Sequence, residues 1–389
     1  MSNPILPGRK IWTVLGISSG TSADGVDVAL VKIPDSTYAS TRQVDFKVYP
    51  YPSGLKKELL KLSSAKNYPV DRLLRLHFLL GDFFADAALK MITRHKTKVD
   101  LIGFHGQTIR HLPKSAENFG KKIRATWQIG EGEMISKKTG VVTVSDFRSA
   151  DIAAGGEGAP LTPYVNYILF GNRKGLGILN IGGIANLTVW KYKSKPEQIL
   201  GFDCGPGNML VDRLARILFN RPYDSGGSLA LSGIVNHKLL KVLMKHSFFD
   251  KKPPKSTGRE EFGKLLAEKI VTSGRKFNLP NQDLITTVAE LTVQAIFDAY
   301  RRFIYPKFAI EELMVSGGGM NNRYFMKRLE ELFQPVRIIT PAKYGFDPKG
   351  LEAVSFAVLA RLAIDQKPAN LPQVTGAKRK VVLGKISQP

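Results

Sequence analysis

A strand, a glycine-bearing polar turn and a returning strand occur twice in this chain, about half its length apart. The first copy is "LGISSGTSADGVDVALVKI", residues 15–33. Trp12, Val14, Leu15 and Ile17 lead into it, Val26, Val28 and Leu30 alternate behind the polar part, and Val31 and Ile33 follow. The second copy, "LGILNIGGIANLTVWKY", residues 176–192, turns at Gly182 and Gly183 and carries Asn180, Asn186 and Thr188 nearby. Apolar residues at a two-residue period on both sides of a glycine turn predict a β-hairpin. A hairpin used twice predicts two related halves rather than one Rossmann sheet.

The rest alternates helix-period and strand-period segments, which predicts α/β architecture. Residues 55–97 read as helices, because apolar residues recur at three- and four-residue steps. "VDLIGFHGQT" reads as a strand with a polar tip, "GNMLVDRLARILF" as a helix after "FDCGP", and "ITTVAELTVQAIFDAYRRFI" and "GLEAVSFAVLARLAID" as long helices. "EELMVSGGGMNNRYFMKRLEELF" reads as strand, glycine turn and helix. At 389 residues the chain suits two domains, with a crossover expected around residues 135–150. The division expected is residues 1–140 plus 366–389 for the N-terminal domain and 141–365 for the C-terminal one.

Charge and cysteine content narrow the function classes. The formal net charge of +24 would fit a nucleic-acid binder, but the lysines are scattered and carry no interleaved aromatic motif. The charge therefore reads as a solvated basic surface that attracts small anions. The single cysteine, Cys204, excludes an intrachain disulfide and a cysteine-rich zinc site, and it suits a reducing cytoplasm. No apolar run of membrane-spanning length is present. The apolar run at the N-terminus is short and lacks a small-residue cleavage site, so it reads as the first core strand rather than a signal peptide.

The polar turns carry the chemistry. Glycine turns let backbone N–H groups approach a phosphate, and Ser and Thr hydroxyls add donors. Gly20, Thr21, Ser22, Ala23, Asp24, Gly25, Val26 and Asp27 form such a turn, and Gly182 and Gly183 form another. An ordinary tight turn explains either one alone. The pair, together with Gly317, Gly318, Gly319 and Asn322 after a third strand, points to a nucleotide. No Walker pattern is present. Asp203, between glycine-containing flanks in "GFDCGPGNML", reads either as a strand-tip general base or as a helix N-cap. His105 and Gln107 sit at another expected strand tip. Asp146, Arg148 and Asp151 crowd together, and Arg148 suits either its acidic neighbours or a substrate carboxylate.

Together these stretches resemble the anhydro-N-acetylmuramic acid kinase family. The likeness runs nearly end to end, through "SGTSADGVDVALV", "GFHGQTIRH", "QIGEGEMISKKTGVVTVSDFR", "DIAAGGEGAPLTP", "LNIGGIANLT", "GFDCGPGNML", "PPKSTGREEF", "VSGGGMNN", "LEAVSFAVLA" and "NLPQVTGA". It implies an actin-like ATPase fold shared with sugar kinases, with two α/β domains flanking a ligand cleft and one phosphate hairpin in each. It also implies a reaction. ATP phosphorylates 1,6-anhydro-N-acetylmuramic acid while water opens the anhydro bridge, giving N-acetylmuramic acid 6-phosphate during cell-wall recycling. The family's base is the aspartate of its "GFDxGPGN" stretch, which is Asp203 here. Gly20 to Asp27, Gly182 and Gly183 would hold the phosphates of ATP, and Gly317 to Gly319 with Asn322 would support adenosine. His105, Gln107, Asp146, Arg148, Glu157, Gly158 and Glu352 would face the sugar. Mg²⁺ is expected with ATP.

Several positions depart from the family's usual pattern. Ser18 and Ala23 replace a methionine and a leucine, Ser149 stands where a second arginine is common, and Glu157 replaces a glutamine. Sugar kinases of this fold often hold metal with an aspartate at the place of Ser18, so no metal ligands are assigned. Glu157 adds a carboxylate on the expected sugar side, which keeps open a kinase for another anhydro sugar such as levoglucosan. A non-enzymatic ATP-binding module of the same fold is the other alternative. The partners expected are an anhydro sugar, ATP and a second copy of the chain, with no specific nucleic acid and no membrane.

Overall fold

The computed structural model describes residues 10–20, 23–65 and 67–389, and the chain divides into two compact units. The first comprises residues up to Phe170 and from Gly345 onward, and the second spans Gly171–Tyr344. The boundaries therefore fall later than the expected 140/141 and earlier than the expected 365/366. The segment read as a crossover instead contributes a strand, Thr143–Ser145, to the sheet of the first unit.

In the first unit, strands β1 (Ile11–Ser19), β2 (Gly25–Pro34) and β3 (Arg42–Pro50) form an antiparallel meander. Strand β4 (Leu101–Asn118) then joins β1 in parallel, β5 (Lys121–Ile129) folds back on β4, and β6 (Thr143–Ser145) joins β4 in parallel. In the second unit, β7 (Leu176–Ile181), β8 (Ile184–Val189) and β9 (Leu200–Pro206) form another antiparallel meander. Strand β10 (Glu312–Ser316) joins β7 in parallel and β11 (Arg337–Ile339) joins β10 in parallel. The short strand β12 (Lys385–Ser387) closes the edge of the first sheet beside β6. The second sheet runs β9-β8-β7-β10-β11, and the first runs β3-β2-β1-β4-β6 before β12. Apart from β5, which folds back on β4 off this row, both read third, second, first, fourth and then the next strand in sequence. The fold is thus an actin-like ATPase fold built by using one α/β unit twice.

Each sheet buries its apolar positions against helices. Leu15, Ile17, Val26 and Val28 pack with Leu80, Phe84 and Ala88 of the helix Val70–His95. Leu179, Ile181 and Leu187 share a core with Ile285, Val288 and Ala289 of the helix Asn281–Ala299. The helix Leu351–Ile364 lies on β1 and β4 almost backbone to backbone. Gly16 and Gly103 are register partners beneath it. A Cβ on Gly16 would stand 1.8 Å from the Ala353 carbonyl oxygen, and one on Gly103 would stand 2.1 Å from that of Phe356. Only glycine permits this approach. It brings Glu352, in the first turn of the helix, to the end of β1 and explains why this late helix belongs to the first unit. Among the described residues, no helix is long and apolar enough to cross a membrane.

Candidate active site

The first hairpin is anchored from inside the sheet. Strand β4 does not end at its polar residues as the sequence suggests. It continues to Asn118 because β5 pairs with it far past the end of β1. Gln107 is therefore a mid-strand residue, level with Ser19 at the end of β1. Its side chain is buried and committed to the hairpin. The Ser19 hydroxyl lies 2.7 Å from Gln107 Oε1, and Gln107 Nε2 donates to the Gly20 carbonyl at 3.2 Å. Tyr51 donates to Ser19 Oγ at 3.1 Å. Gly20 also accepts from Ala23 N–H, which closes the turn at a left-handed Ala23 (φ 50°). Thr21 and Ser22 lie outside the described residues. Gly25 and Val26 are buried in β2, and the exposed Asp24 pairs with Lys56 at 2.5 Å. Ser18 is buried, and its hydroxyl has no hydrogen-bond partner among the described residues. Its register partner is Asp27, whose carboxyl is pushed up to about 7. Burial is the main cause, and the charges of Glu352, Asp24 and Asp347 add to it.

Close by in the first unit, Arg148 organises a second group. Its Nε donates to His105 Nε2 at 3.0 Å and its Nη1 donates to the Gly158 carbonyl at 2.7 Å. His105 stacks on Phe356 with ring centroids 4.3 Å apart. Burial and then the Arg148 charge hold His105 well below its usual pKa, so it stays neutral with its proton on Nδ1. His111, farther along β4, is lowered to about 4 by the same two causes. Nη2 of Arg148 has no hydrogen-bond partner among the described residues. Loss of surrounding water raises the Glu352 carboxyl, an effect limited by the exposure of Glu352 and opposed by the Arg148 charge.

The other acidic residues have structural partners. Asp151 is fully buried and accepts from Gly158 N–H at 2.8 Å, Asn370 Nδ2 at 2.8 Å and Thr375 Oγ1 at 2.7 Å. Asp146 takes the Ser149 hydroxyl at 2.5 Å and Lys385 Nζ at 2.6 Å. Of the two readings of Arg148, pairing with these neighbouring aspartates gives way to a contact with His105, distant in sequence. Glu157 is partly buried, and its N–H donates to the Thr375 carbonyl at 2.8 Å.

In the second unit a polar row crosses the sheet. Ser316 is the register partner of Asn180, Asn180 of Asn186, and Asn186 of Asp203. Direct partners share a face, so four polar side chains stand in line across strands that are mostly apolar. Asp203 sits inside β9 rather than at its tip, and the following helix, Asn208–Phe219, is capped at Gly207 instead. The pairing skips Cys204, a bulge that re-aims the strand beside Asp203. Asp203 N–H donates to the Lys255 carbonyl at 3.0 Å, and its Oδ2 accepts from Thr257 N–H at 2.9 Å. The carboxylate is thus held by the backbone of a separate segment. Burial pushes up the Cys204 thiol, which makes it a poor nucleophile.

The second hairpin is locked to the start of the same helix. Gly207 N–H donates to the Gly183 carbonyl and Asn208 N–H to the Gly182 carbonyl, both at 2.8 Å. A Cβ on Gly207 would stand 2.3 Å from the Gly182 oxygen, so this junction requires glycine. Gly317 leaves β10 with φ 81°, and Gly318–Asn321 make one 3₁₀ turn before the helix Arg323–Leu332. Asn322 is buried and caps that helix, accepting from Tyr324 and Phe325 N–H. Its side-chain amide is thus committed to the helix start and to Asp224, 3.5 Å away.

Ser316 escaped the sequence reading, which gave Asn180 and Asn186 only as polar groups near the second hairpin. Their signal was a polar side chain at an inward position of a buried strand. Among the described residues, no three His, Cys, Asp or Glu side chains form a group able to hold a metal ion.

The profile of the anhydro-N-acetylmuramic acid kinase family matches residues 12–389. An anhydro-N-acetylmuramic acid kinase from Caldanaerobacter subterraneus subsp. tengcongensis is 40% identical over 381 residues, covering 96% of each chain. One from Salinibacter ruber is 40% identical over 386 residues, covering 98% of this chain and 97% of its own. One from Gloeobacter violaceus is 41% identical over 377 residues, covering 96% of this chain and 97% of its own.

Proposed function

The chain belongs to the anhydro-N-acetylmuramic acid kinase family, and we propose on that premise how its residues carry out the family's reaction. The protein is a kinase. It uses ATP to convert 1,6-anhydro-N-acetylmuramic acid into N-acetylmuramic acid 6-phosphate. The sugar has no free hydroxyl at the 6-position, so two events are coupled. Water attacks the anomeric carbon and forms a new C–O bond as the bond from that carbon to the 6-oxygen breaks. The 6-oxygen takes the γ-phosphoryl group, ADP leaves, and the proton of the water goes to a base.

Asp203 is that base. The observation that supports it is the Thr257 N–H on Oδ2, which holds the carboxylate at a bulge in a polar row instead of leaving it at a helix cap. A positioned carboxylate of this kind contributes a factor of about 10²–10⁴ to the rate. Asn180 and Asn186 extend the row and present amide groups to the water and the sugar. In the first unit, the turn from Gly20 to Asp27 binds phosphate oxygens through backbone N–H groups, with Gln107 holding its shape. In the second, Gly182 and Gly183 do so, and Gly317 to Gly319 lie against adenosine. Arg148, oriented by neutral His105, points its remaining N–H groups at the sugar, with Gly158, Glu157 and Glu352 beside it. Asp146, already paired with Lys385, shapes that loop rather than touching the sugar.

Mg²⁺ supplies neutralisation of phosphate charge when it binds with ATP. The side chains described do not form a cage for it, so no protein ligand is assigned. A reaction that consumes ATP and a protein with one buried thiol suit the cytoplasm.

The test is incubation with ATP, Mg²⁺ and a panel of anhydro sugars that includes levoglucosan, with products identified by mass. The muramic sugar should gain one phosphoryl group and one water. In ¹⁸O-water, fresh product should carry one label at the anomeric carbon, before mutarotation exchanges it. Unlabelled product would exclude coupled hydrolysis, and turnover of neutral anhydro sugars alone would reassign the substrate.

A further inference from the structure

Lys255 is a buried cation that the reaction described above leaves without a task. Among the described residues no carboxylate pairs with it. Its Nζ stands 3.4 Å from the carbonyl oxygens of Phe248 and Phe249. It also lies over three aromatic rings, 4.7 Å from the centroid of Phe248, 5.0 Å from Phe303 and 6.0 Å from Phe202. Such a cage binds a cation through the negative faces of the rings. Burial lowers the ammonium's pKa, so the site is not a comfortable one for charge that does nothing.

The backbone of the same segment clamps Asp203. The Lys255 carbonyl takes the Asp203 N–H, and two residues later the Thr257 N–H donates to Asp203 Oδ2. Beyond the clamp, Thr257 Oγ1 donates to Glu261 Oε2 at 2.6 Å, which fastens its far end. The near end has the Lys255 side chain, tied to the Phe248–Phe249 carbonyls and to Phe202, the residue before Asp203. Pulling that tether away frees the segment whose N–H aims the carboxylate.

We propose that Lys255 is a positioning residue: its caged ammonium pins the 255–257 segment so that the Thr257 N–H holds Asp203 in line with the attacking water. The inference rests on Asp203 being the base. A carboxylate displaced by about 1 Å can lose a factor near 10² in rate while substrate binding survives.

The experiment uses the full chain with ATP, Mg²⁺ and 1,6-anhydro-N-acetylmuramic acid. The variants are Lys255→Met, Lys255→Arg, Asp203→Asn and the Lys255→Met/Asp203→Asn pair. Lys255→Met should lower kcat about 10- to 100-fold and leave KM for both substrates within about twofold. Lys255→Arg, which keeps a cation over the rings, should recover most of the rate. In the Asp203→Asn background, Lys255→Met should change the residual rate by less than about twofold, because the two act through one group. Unchanged kcat in Lys255→Met, or losses that multiply in the double variant, would overturn the proposal. If Lys255→Met fails to fold, Phe303→Leu removes one ring of the cage. It should lower kcat about threefold with KM unchanged, near the energy of one cation–π contact. An unaltered kcat there overturns the proposal too. Full activity in Asp203→Asn would sink the base assignment itself, whereas a dead Asp203→Asn beside a fully active Lys255→Met sinks only the tether.

Discussion

Asp203→Asn separates the base from everything else the residue does. Asparagine has the same shape, and its carbonyl oxygen can accept the Thr257 N–H that Oδ2 accepts at 2.9 Å. The other tie, Asp203 N–H to the Lys255 carbonyl, is backbone and survives any substitution but proline. The fold should therefore lose less than about 1 kcal/mol, the scale of one altered hydrogen bond. What disappears is the proton acceptor. A general base contributes about 10²–10⁴ in rate. At about 1.36 kcal/mol per decade, that loss raises the barrier by roughly 2.7–5.4 kcal/mol. The assay is coupled ADP release at saturating sugar and ATP, with nucleotide affinity from calorimetry and thermal midpoints run in parallel. The expected pattern is a kcat down by at least about a hundredfold, ATP affinity within about twofold and a nearly unchanged midpoint. A kcat within about threefold of the parent would refute the role of Asp203. Loss of ATP binding together with rate would refute the geometric argument, since the substitution would then have deformed the site.

Other consequences can be checked directly. The Asp27 carboxyl is raised to about 7, so the folded chain holds a proton there that the unfolded chain releases near its ordinary 3.8. Its contribution to stability is full below about 4 and is lost as pH rises through about 7. Asp27→Asn should gain in thermal midpoint over the parent between pH 4 and 8, and a difference that stays flat with pH would contradict this. Glu157→Gln should lower KM for the anionic muramic sugar about tenfold and leave that for levoglucosan unchanged, because about 1.4 kcal/mol of relieved repulsion is a tenfold effect. Equal kinetics with both sugars would place the Glu157 charge away from the substrate. Glu290 is buried, takes Arg328 through both oxygens at 2.9 Å and accepts from Tyr324 Oη at 2.7 Å. Glu290→Ala strands those donors and should cost about 3 kcal/mol, read as a lower urea midpoint.

Local patterns carried most of the fold. Both hairpins were visible because alternating apolar residues flank glycine turns, and the long helices were visible through their three- and four-residue periods. The helix Leu351–Ile364 was visible as a helix but not as a member of the first unit. That membership depends on Gly16 and Gly103, some 250 residues earlier or more, each unremarkable in its own strand. Asp203 read as a strand tip because a bulge at Cys204 leaves no mark in composition. Strand β4 seemed to end at Gln107 because its outer half pairs with β5 and mixes polar with apolar residues. Asn322 carried a legible cap signal, a polar residue just before "RYFMKRLEEL", which the nucleotide reading overrode. The Arg148–His105 contact joins residues far apart in the chain, as do the Phe202 and Phe303 sides of the Lys255 cage, and no window of sequence shows either.

The glycine pair beneath the Leu351–Ile364 helix also limits how the first unit can move. Ordinary helix-on-sheet packing has a layer of side chains between the two, and that layer can shear by small rotamer adjustments. Here the layer is missing at its centre, because the carbonyls of Ala353 and Phe356 rest over bare Cα atoms. The helix has no bearing on which to slide. A ligand that tugs on the tip of β1 must carry the first turn of that helix with it, as one solid piece. Glu352, in that first turn, is therefore tied in position to the end of β1. Any change in the spacing between them has to come from movement of the backbone itself, which no rotamer can supply.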